Sequence, residues 1–163
     1  MITASDIRIR TQLRPGDLGA ITRMHGLVYC NEYDFPIQFE TYVAESVAEY
    51  TRSYRPETHG LWICEHQGEI VGSLALMKRD TAAQLRYFVL MPGFRGLGLG
   101  RTLMEKFMEF YREAGYQSSY LLTTAGLGAA IKLYRDFGYE LTAEYPVETF
   151  GFTMLEQRYE LHR

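Results

Sequence analysis

Residues 94–101, FRGLGLGR, combine the residue types that bind phosphate groups. Three glycines alternate with leucines between two arginines, and an amphipathic run follows. If that run is a helix, its first N–H groups have no partner within the helix, and its dipole favours negative charge there. Glycine also lets a ligand approach the backbone closely, because no Cβ intervenes. The stretch is therefore predicted to bind an anion through the N–H groups of Gly96, Gly98, Gly100 and Arg101, with the arginine side chains adding charge.

Two common phosphate-binding motifs do not fit this stretch. A P-loop requires Gly-Lys-Ser/Thr, and that sequence does not occur. A Rossmann fingerprint is expected in a βαβ unit near the start of the chain, with an acidic residue about 20 positions later, whereas this motif follows several predicted strands. A glycine-rich turn with only a packing role is the other reading, since short glycine motifs are weak signals.

Hydrophobic periodicity predicts the elements that would position the motif. Strands are predicted at 7–13, 61–66, 70–77, 83–90 and 118–124, and in YELTAEY and FTMLEQRYEL near the C-terminus. Helices are predicted from Asp17, which can cap the first of them, from about Pro36, from Gly98 to Gly115, and over 127–137. The predicted order is β-α-α-β-β-β-α-β-α-β-β, and the length predicts one domain over residues 1–163.

The composition excludes several kinds of partner. The 163 residues are 47% apolar and 23% charged, which is ordinary for one globular domain. The net charge is -3 without a run of like charges, so neither nucleic acid nor a membrane surface is expected as a partner. The N-terminus has no apolar signal core, and Cys30 and Cys64 lack metal-like spacing. A cytoplasmic protein with free thiols and no metal is expected.

Two segments together resemble a known family. Arg95-x-x-Gly98-x-Gly100, between a strand and a long helix, resembles the coenzyme A motif of the GNAT N-acetyltransferases. AAIKLYRDFGYEL at 129–141 resembles the second motif of that family, in the right order and at the right separation. The resemblance runs from about Ile7 to Leu161 and looks closest to GNAT domains that bacteria fuse to MarR-type DNA-binding domains. No winged-helix segment precedes this copy, so DNA binding is not expected.

The resemblance implies a GNAT fold with acetyl-CoA as cofactor. That fold is α+β, with a mixed, splayed sheet of about seven strands that is flanked by about four helices. The pyrophosphate would lie on the turn, and the preceding strand would offer backbone groups to the pantetheine arm. The N–H of Leu90 would also polarise the thioester carbonyl. The cofactor-binding positions implied in this way are Phe88, Val89, Leu90, Arg95, Gly96, Leu97, Gly98, Leu99, Gly100 and Arg101.

The second motif implies a catalytic acid. Tyr134 matches the tyrosine that lies near the coenzyme sulfur in the family, and it would protonate the departing thiolate. A core tyrosine is the alternative. Many members carry Asn seven residues earlier, where this chain has Leu127, so Thr123 or Thr124 is expected to supply the missing polar contact.

The residues that would receive the amine are less specific. Histone-type members carry a glutamate base where this chain has Gln84, which cannot serve as a base. The remaining base candidates are His25, Glu32 and Glu148, each with a packing or solvated role as its alternative, and a water chain can replace a base. Tyr29 and Tyr33 are predicted in the acceptor wall. Arg86 is predicted either to face a cleft and a carboxylate or to lie at an exposed edge.

The resemblance thus predicts direct transfer of acetyl from acetyl-CoA to a primary amine of a small molecule. A protein lysine or N-terminal acetyltransferase, and a non-catalytic acyl-CoA-binding regulatory module, are the alternatives. The resemblance is also compatible with a homodimer, since many members dimerise, although no stretch of the sequence identifies an interface.

Overall fold

The computed structural model describes residues 1–163 and contains one sheet of seven strands in the order β1-β2-β3-β4-β5-β7-β6. Every neighbouring pair is antiparallel except β4 and β5, which are parallel. The mixed seven-stranded sheet predicted from the sequence is therefore confirmed. The strands are β1 (Arg8–Arg10), β2 (Gly60–His66), β3 (Glu69–Arg79), β4 (Ala82–Leu90), β5 (Ser118–Thr124), β6 (Glu140–Val147) and β7 (Met154–His162).

Four α-helices flank the sheet, as predicted, and short 3-10 turns lie at Ala4–Asp6 and Pro92–Phe94. None of the helices has both the length and the apolar character needed to cross a bilayer. The helices are α1 (Asp17–Tyr33), α2 (Ile37–Ser53), α3 (Leu99–Glu113) and α4 (Gly128–Asp136).

The predicted cap at Asp17 is wrong. Gly16, with φ 98°, precedes α1, and Asp17 is the first residue of the helix. Its carboxylate is buried, and it accepts hydrogen bonds from the Arg10 guanidinium and the Arg14 backbone N–H. Asp17 thus anchors the helix to β1 instead of capping it, because Arg10 offers a stronger, charged donor.

The two faces of the sheet carry separate cores. Helices α1 and α2 cover one face through a buried stripe of apolar residues, Ile21, Met24, Val28, Phe39, Val43, Val47 and Tyr50. Helices α3 and α4 cover the other face, where Leu99, Leu103 and Phe107 of α3 are buried. Because helices cover both faces of the sheet, a cleft that reaches the sheet has to lie where two neighbouring strands separate.

That opening lies between β4 and β5. The two strands pair only at Ala83 with Ser119 and at Gln84 with Tyr120. Beyond these residues β4 stays paired with β3 as far as Leu90, while β5 stays paired with β7 as far as Thr124. Each strand keeps hydrogen bonds on its outer side, so the gap leaves inward backbone groups without a strand partner. The predicted splay of the sheet is therefore confirmed, and it lies between β4 and β5.

A bulge in β4 shapes one wall of the gap. Ser73 pairs with Val89 and Ala75 with Arg86, so that two residues of β4 face one of β3. Tyr87, within the bulge, has φ 52°, and its carbonyl accepts a 2.6 Å hydrogen bond from Ser73 Oγ. The bulge places Arg86 and Tyr87 on the same face of the sheet, and both contact Ser46 of α2.

Candidate active site

A cleft of about 520 Å³ lies between β4, α1 and the first turns of α3 and α4. Eight of the predicted cofactor-binding residues line it, and two predicted acceptor residues, Tyr29 and Tyr33, lie on the opposite wall. Those eight residues are Phe88, Val89, Leu90, Arg95, Gly96, Gly98, Leu99 and Gly100.

The glycine turn presents free backbone donors to this cleft. Gly96 and Gly98 have φ 75° and 79°, a region that other residues rarely adopt, and a Cβ on either would meet no atom within 4 Å. Gly98 is the N-cap of α3 and provides no side-chain cap. The N–H groups of Gly100 and Arg101 point out of the first turn and have no backbone acceptor. The turn therefore has the geometry of an anion site.

Leu90 presents its backbone N–H to the gap. Met91 N donates to Val71 O at 2.9 Å, which makes Met91 and Val71 a hydrogen-bonded pair of the antiparallel ladder. In such a ladder the next residue turns its N–H and C=O to the other side. The Leu90 carbonyl does point that way, because it accepts a 3.1 Å hydrogen bond from Arg95 Nε. The Leu90 N–H therefore points away from β3, as the predicted oxyanion role requires.

A smaller cleft, of about 120 Å³, lies on the other side of Tyr29 and Phe88, and these two residues line both clefts. The predicted residues His25, Arg86 and Tyr134 line the smaller cleft, together with Gln84 and Thr123. The two clefts thus adjoin at Tyr29 and Phe88, beside the gap between β4 and β5, and this place is called the junction below.

Tyr134 is at this junction. Its ring centroid lies 6.1 Å from that of Phe88, and its side chain is buried. The hydroxyl has no hydrogen-bond partner in the protein, in contrast to the hydroxyl of Tyr139, which bonds to Ser119 at 2.6 Å. Burial raises the pKa of Tyr134 far above its ordinary value, so the phenol keeps its proton at neutral pH.

His25 is buried on α1 and faces the smaller cleft. Its Nδ1 lies 2.8 Å from the Ile21 carbonyl, so Nδ1 is assigned the proton and Nε2 is left as an acceptor. The ring stacks on Tyr29 with the centroids 6.1 Å apart. Burial lowers the pKa of His25 to about 4, so the imidazole is neutral at physiological pH.

Comparison with known proteins identifies the family. Residues 27–139 match the family model described as Acetyltransferase (GNAT) family. The chain belongs to this family. It is 27% identical to the uncharacterized N-acetyltransferase C1271.07c of Schizosaccharomyces pombe, over 96% of this chain and 98% of that protein. It is 34% identical to the uncharacterized N-acetyltransferase YjgM of Escherichia coli, over 56% of this chain and 58% of that protein.

Several of the other curated relatives are also matched only in part. For N-acetyltransferase family 8 member 2 of Rattus norvegicus, the match spans 56% of the relative's length at 29% identity. Solved structures share the fold over almost the whole chain. A GNAT family acetyltransferase from Elizabethkingia anophelis with acetyl-CoA bound has a TM-score of 0.66 and 13% identity, over 97% of this chain and 99% of that one. The Escherichia coli ribosomal-protein-S18-alanine N-acetyltransferase has a TM-score of 0.71 and 19% identity, over 96% and 93%.

Not every residue predicted for the GNAT cofactor site turns its side chain to the cleft. The Arg101 guanidinium pairs with Asp136 of α4 at 2.9 Å and lies over the Phe137 ring. Leu97 packs against the core beneath α3. Thr124 pairs with Glu156 of β7 and lines neither cleft, whereas Thr123 lines the smaller one. Arg101 and Leu97 can therefore take part only through their backbone.

Two of the three base candidates lie outside both clefts. Glu148 is exposed in the loop between β6 and β7, where it accepts a hydrogen bond from Thr153. Glu32 forms an ion pair with Arg95, and it lines neither cleft. His25 alone among the three lines the smaller cleft.

The predicted carboxylate partner of Arg86 is absent. The guanidinium does face the smaller cleft, but it donates to Ser46 Oγ, to the Tyr42 hydroxyl at 3.4 Å and to Gln84 Oε1 at 3.5 Å. The Glu49 carboxylate pairs with Arg79 instead, and its pKa is lowered by the hydrogen bond to Arg79 and, to a smaller extent, by the charge of Arg86. The bulge in β4 turns Arg86 toward Ser46 of α2, so its hydrogen-bond partners in the protein are neutral.

The second helix N-terminus at the larger cleft was missed from the sequence. Gly126, Leu127, Gly128, Ala129 and Ala130 line that cleft at the start of α4, which has no side-chain cap. The run AGLGAA carried the signal, because two glycines flank a helix start there as they do at α3. Two uncapped helix N-termini thus face one cleft, which adds to its preference for anions.

Proposed function

We propose that this GNAT chain transfers the acetyl group of acetyl-CoA directly to the primary amine of a small molecule. One observation carries the proposal. The Leu90 N–H points into the gap between β4 and β5, and Tyr134, whose hydroxyl has no partner in the protein, lies beside Phe88, one of the two residues that line both clefts. This arrangement supports Leu90 as the oxyanion donor and Tyr134 as the proton donor of one acyl transfer.

The residues of the larger cleft fit a coenzyme that has a diphosphate and an extended apolar arm. The glycine turn and the start of α4 offer free N–H groups for the phosphates, and Arg95 adds a positive charge. Phe88, Val89 and Leu90 form a wall beside the gap that β5 leaves open. Bound acetyl-CoA would supply an activated thioester at the junction of the two clefts.

The chain's own groups would then act in sequence. As the amine nitrogen forms its bond to the acetyl carbon, the Leu90 N–H stabilises the charge that develops on the carbonyl oxygen. As the carbon–sulfur bond breaks, Tyr134 gives its proton to the thiolate. A pKa of about 4 makes His25 a weak base, so we assign its Nε2 to accept a hydrogen bond from the neutral amine, with water carrying the proton away.

The size of the acceptor cleft supports a small molecule over a protein. The cleft measures about 120 Å³, and the loop that follows β6 closes over the same region, with Phe150 packed on Phe39 and Tyr42. A protein lysine or N-terminal amine is the alternative acceptor. The ribosomal-protein acetyltransferase named above shares only the fold with this chain, at 19% identity, so it does not decide between the two acceptors. A peptide panel beside a panel of small amines distinguishes the two.

Calorimetric titration with acetyl-CoA tests the proposal. Gly98→Glu places a carboxylate on the free N–H groups of the turn and should abolish binding. Gly19→Glu makes the same change of charge at an exposed position of α1 where a Cβ meets no atom within 4 Å, so it should bind as the wild type does. Failure of the folded wild type to bind acetyl-CoA would refute the proposal, and circular dichroism checks the folding of both variants.

Three narrower expectations stay predictions from the sequence. They are the closer likeness to GNAT domains fused to MarR-type regulators, a cytoplasmic location, and a homodimer. Light scattering of the purified chain measures the last of these directly.

A further inference from the structure

We propose that the amine acceptor also carries a carboxylate, and that Arg86 binds this group. The inference rests on the acetyl transfer proposed above and names the substrate class of the same site. It assigns amino acids, in the broad sense of one molecule with a primary amine and a carboxylate, as the acceptors.

The first argument is the missing counterion. Arg86 is half-buried in the wall of the acceptor cleft, and it takes part in no ion pair within the protein. Its partners are two hydroxyls and an amide oxygen, all neutral. Removing a charge from water without a counterion is unfavourable, and an anionic ligand would compensate it.

The second argument is that the guanidinium is held in place. It lies over the Tyr87 ring with 5.2 Å to the centroid, and over the Tyr42 ring with 6.0 Å. Ser46 Oγ accepts from it and also lies 2.7 Å from the Tyr87 hydroxyl. A fixed planar fork pairs with a carboxylate through two parallel hydrogen bonds and loses little side-chain entropy on doing so.

The third argument is the position of Arg86 relative to the reacting groups. Arg86 and Tyr134 line the same cleft of about 120 Å³, and that cleft joins the larger one at Phe88. A molecule whose amine reaches the junction therefore has its other end within this small volume. A carboxylate at that end would meet Arg86, whereas a purely cationic amine would meet an uncompensated positive charge.

The experiment compares matched pairs of acceptors by the release of coenzyme A. L-Amino acids and ω-amino acids are each measured beside the decarboxylated amine, the carboxamide and the aminoalkyl phosphonate. We expect kcat/KM to be about 10- to 100-fold higher for the carboxylate member, since a charged hydrogen-bonded pair contributes about 1.5–3 kcal/mol. Equal turnover of the decarboxylated amines, or a preference for the phosphonate, would overturn the inference and leave the acetyl transfer standing.

Variants connect the preference to Arg86. Arg86→Met should raise KM for the carboxylate acceptors and remove their advantage in kcat/KM over the decarboxylated amines. Arg86→Lys should recover part of the preference, because it keeps the charge but loses the fork. Arg112→Met removes an exposed guanidinium of α3 that lines neither cleft, and it should keep the full preference. A preference that survives in Arg86→Met contradicts the assignment.

A binding measurement keeps the inference testable without turnover. The complex with coenzyme A is titrated calorimetrically with the same amino acids, for the wild type and for Arg86→Met. Binding that is lost in the variant supports the inference even if no amine is acetylated, in which case only the proposed function fails. Absence of binding for every carboxylate overturns it.

Discussion

The Arg95 guanidinium and the Glu32 carboxylate form an ion pair, with 2.9 Å between Nη1 and Oε2, that connects the glycine turn to the end of α1. Through Nε the same guanidinium donates to the Leu90 carbonyl at 3.1 Å. Arg95 therefore joins three elements that border the larger cleft. Because Glu32 is negative, it opposes an anion at the place where Arg95 favours one.

Replacing Glu32 is expected to strengthen coenzyme binding. Glu32→Gln frees the Arg95 guanidinium and removes a negative charge beside the turn. Since exposed ion pairs are worth about 0.2–1 kcal/mol, the dissociation constant for acetyl-CoA should fall by up to about fivefold. Calorimetry at low and high salt measures the effect, and Glu148→Gln, at an exposed position that lines neither cleft, is the control. Weaker binding would mean that Glu32 mainly positions Arg95.

The two arginines of the turn, Arg95 and Arg101, should differ in how much their side chains contribute to acetyl-CoA binding. Arg95 lines the cleft, whereas the Arg101 side chain pairs with Asp136. Arg95→Gln should weaken acetyl-CoA binding about tenfold, which corresponds to one charge-assisted hydrogen bond. Arg101→Gln should change the affinity less than about twofold, because an exposed pair contributes little and its backbone N–H remains. Equal losses of affinity in Arg95→Gln and Arg101→Gln would mean that the Arg101 side chain also contacts the phosphates.

Tyr134→Phe should reduce turnover without loss of stability. General acid catalysis contributes about 10²–10⁴-fold, so kcat should fall at least about 100-fold, with KM for acetyl-CoA unchanged. The thermal midpoint should change little, because the lost hydroxyl has no partner in the protein. Tyr139→Phe is the matched control, since it breaks a buried 2.6 Å hydrogen bond to Ser119 and should reduce stability more than turnover. An unchanged kcat in Tyr134→Phe would exclude the acid role.

Acid should destabilise the fold through His25. Its pKa is about 4 in the folded chain and about 6.5 when unfolded, so the unfolded state binds more protons between these values. The free energy of unfolding should therefore fall as pH drops from about 6.5 to 4, by up to about 1.4 kcal/mol per pH unit. Urea titrations at several pH values measure the slope, and His25→Gln should reduce it. The slope that remains in His25→Gln includes a contribution from His59, because burial also lowers the pKa of that residue.

Local patterns were enough to predict the elements of this chain. All seven strands and four helices are where periodicity and glycine positions indicated, because both signals depend on neighbours within a few residues. The glycine turn was also readable, since an N-cap such as Gly98 and a helix start need no distant partner. Chain order and the two family motifs then implied the splayed sheet.

The roles of individual charges depended on residues far apart in the chain. Pairing of Glu32 with Arg95, of Arg101 with Asp136, and of Asp17 with Arg10 joins separate elements, and no local pattern marks such partners.

The sequence by itself therefore determined the elements and the glycine turn, because short-range periodicity and backbone freedom encode them, and its two GNAT-like motifs implied the fold and marked Tyr134. Only the tertiary structure decided that the start of α4 lines the larger cleft, and that a bulge at Tyr87 turns Arg86 into the smaller cleft without a carboxylate partner. The physical reason is that the register between strands and the packing of helices on a sheet set which distant side chains share a cavity.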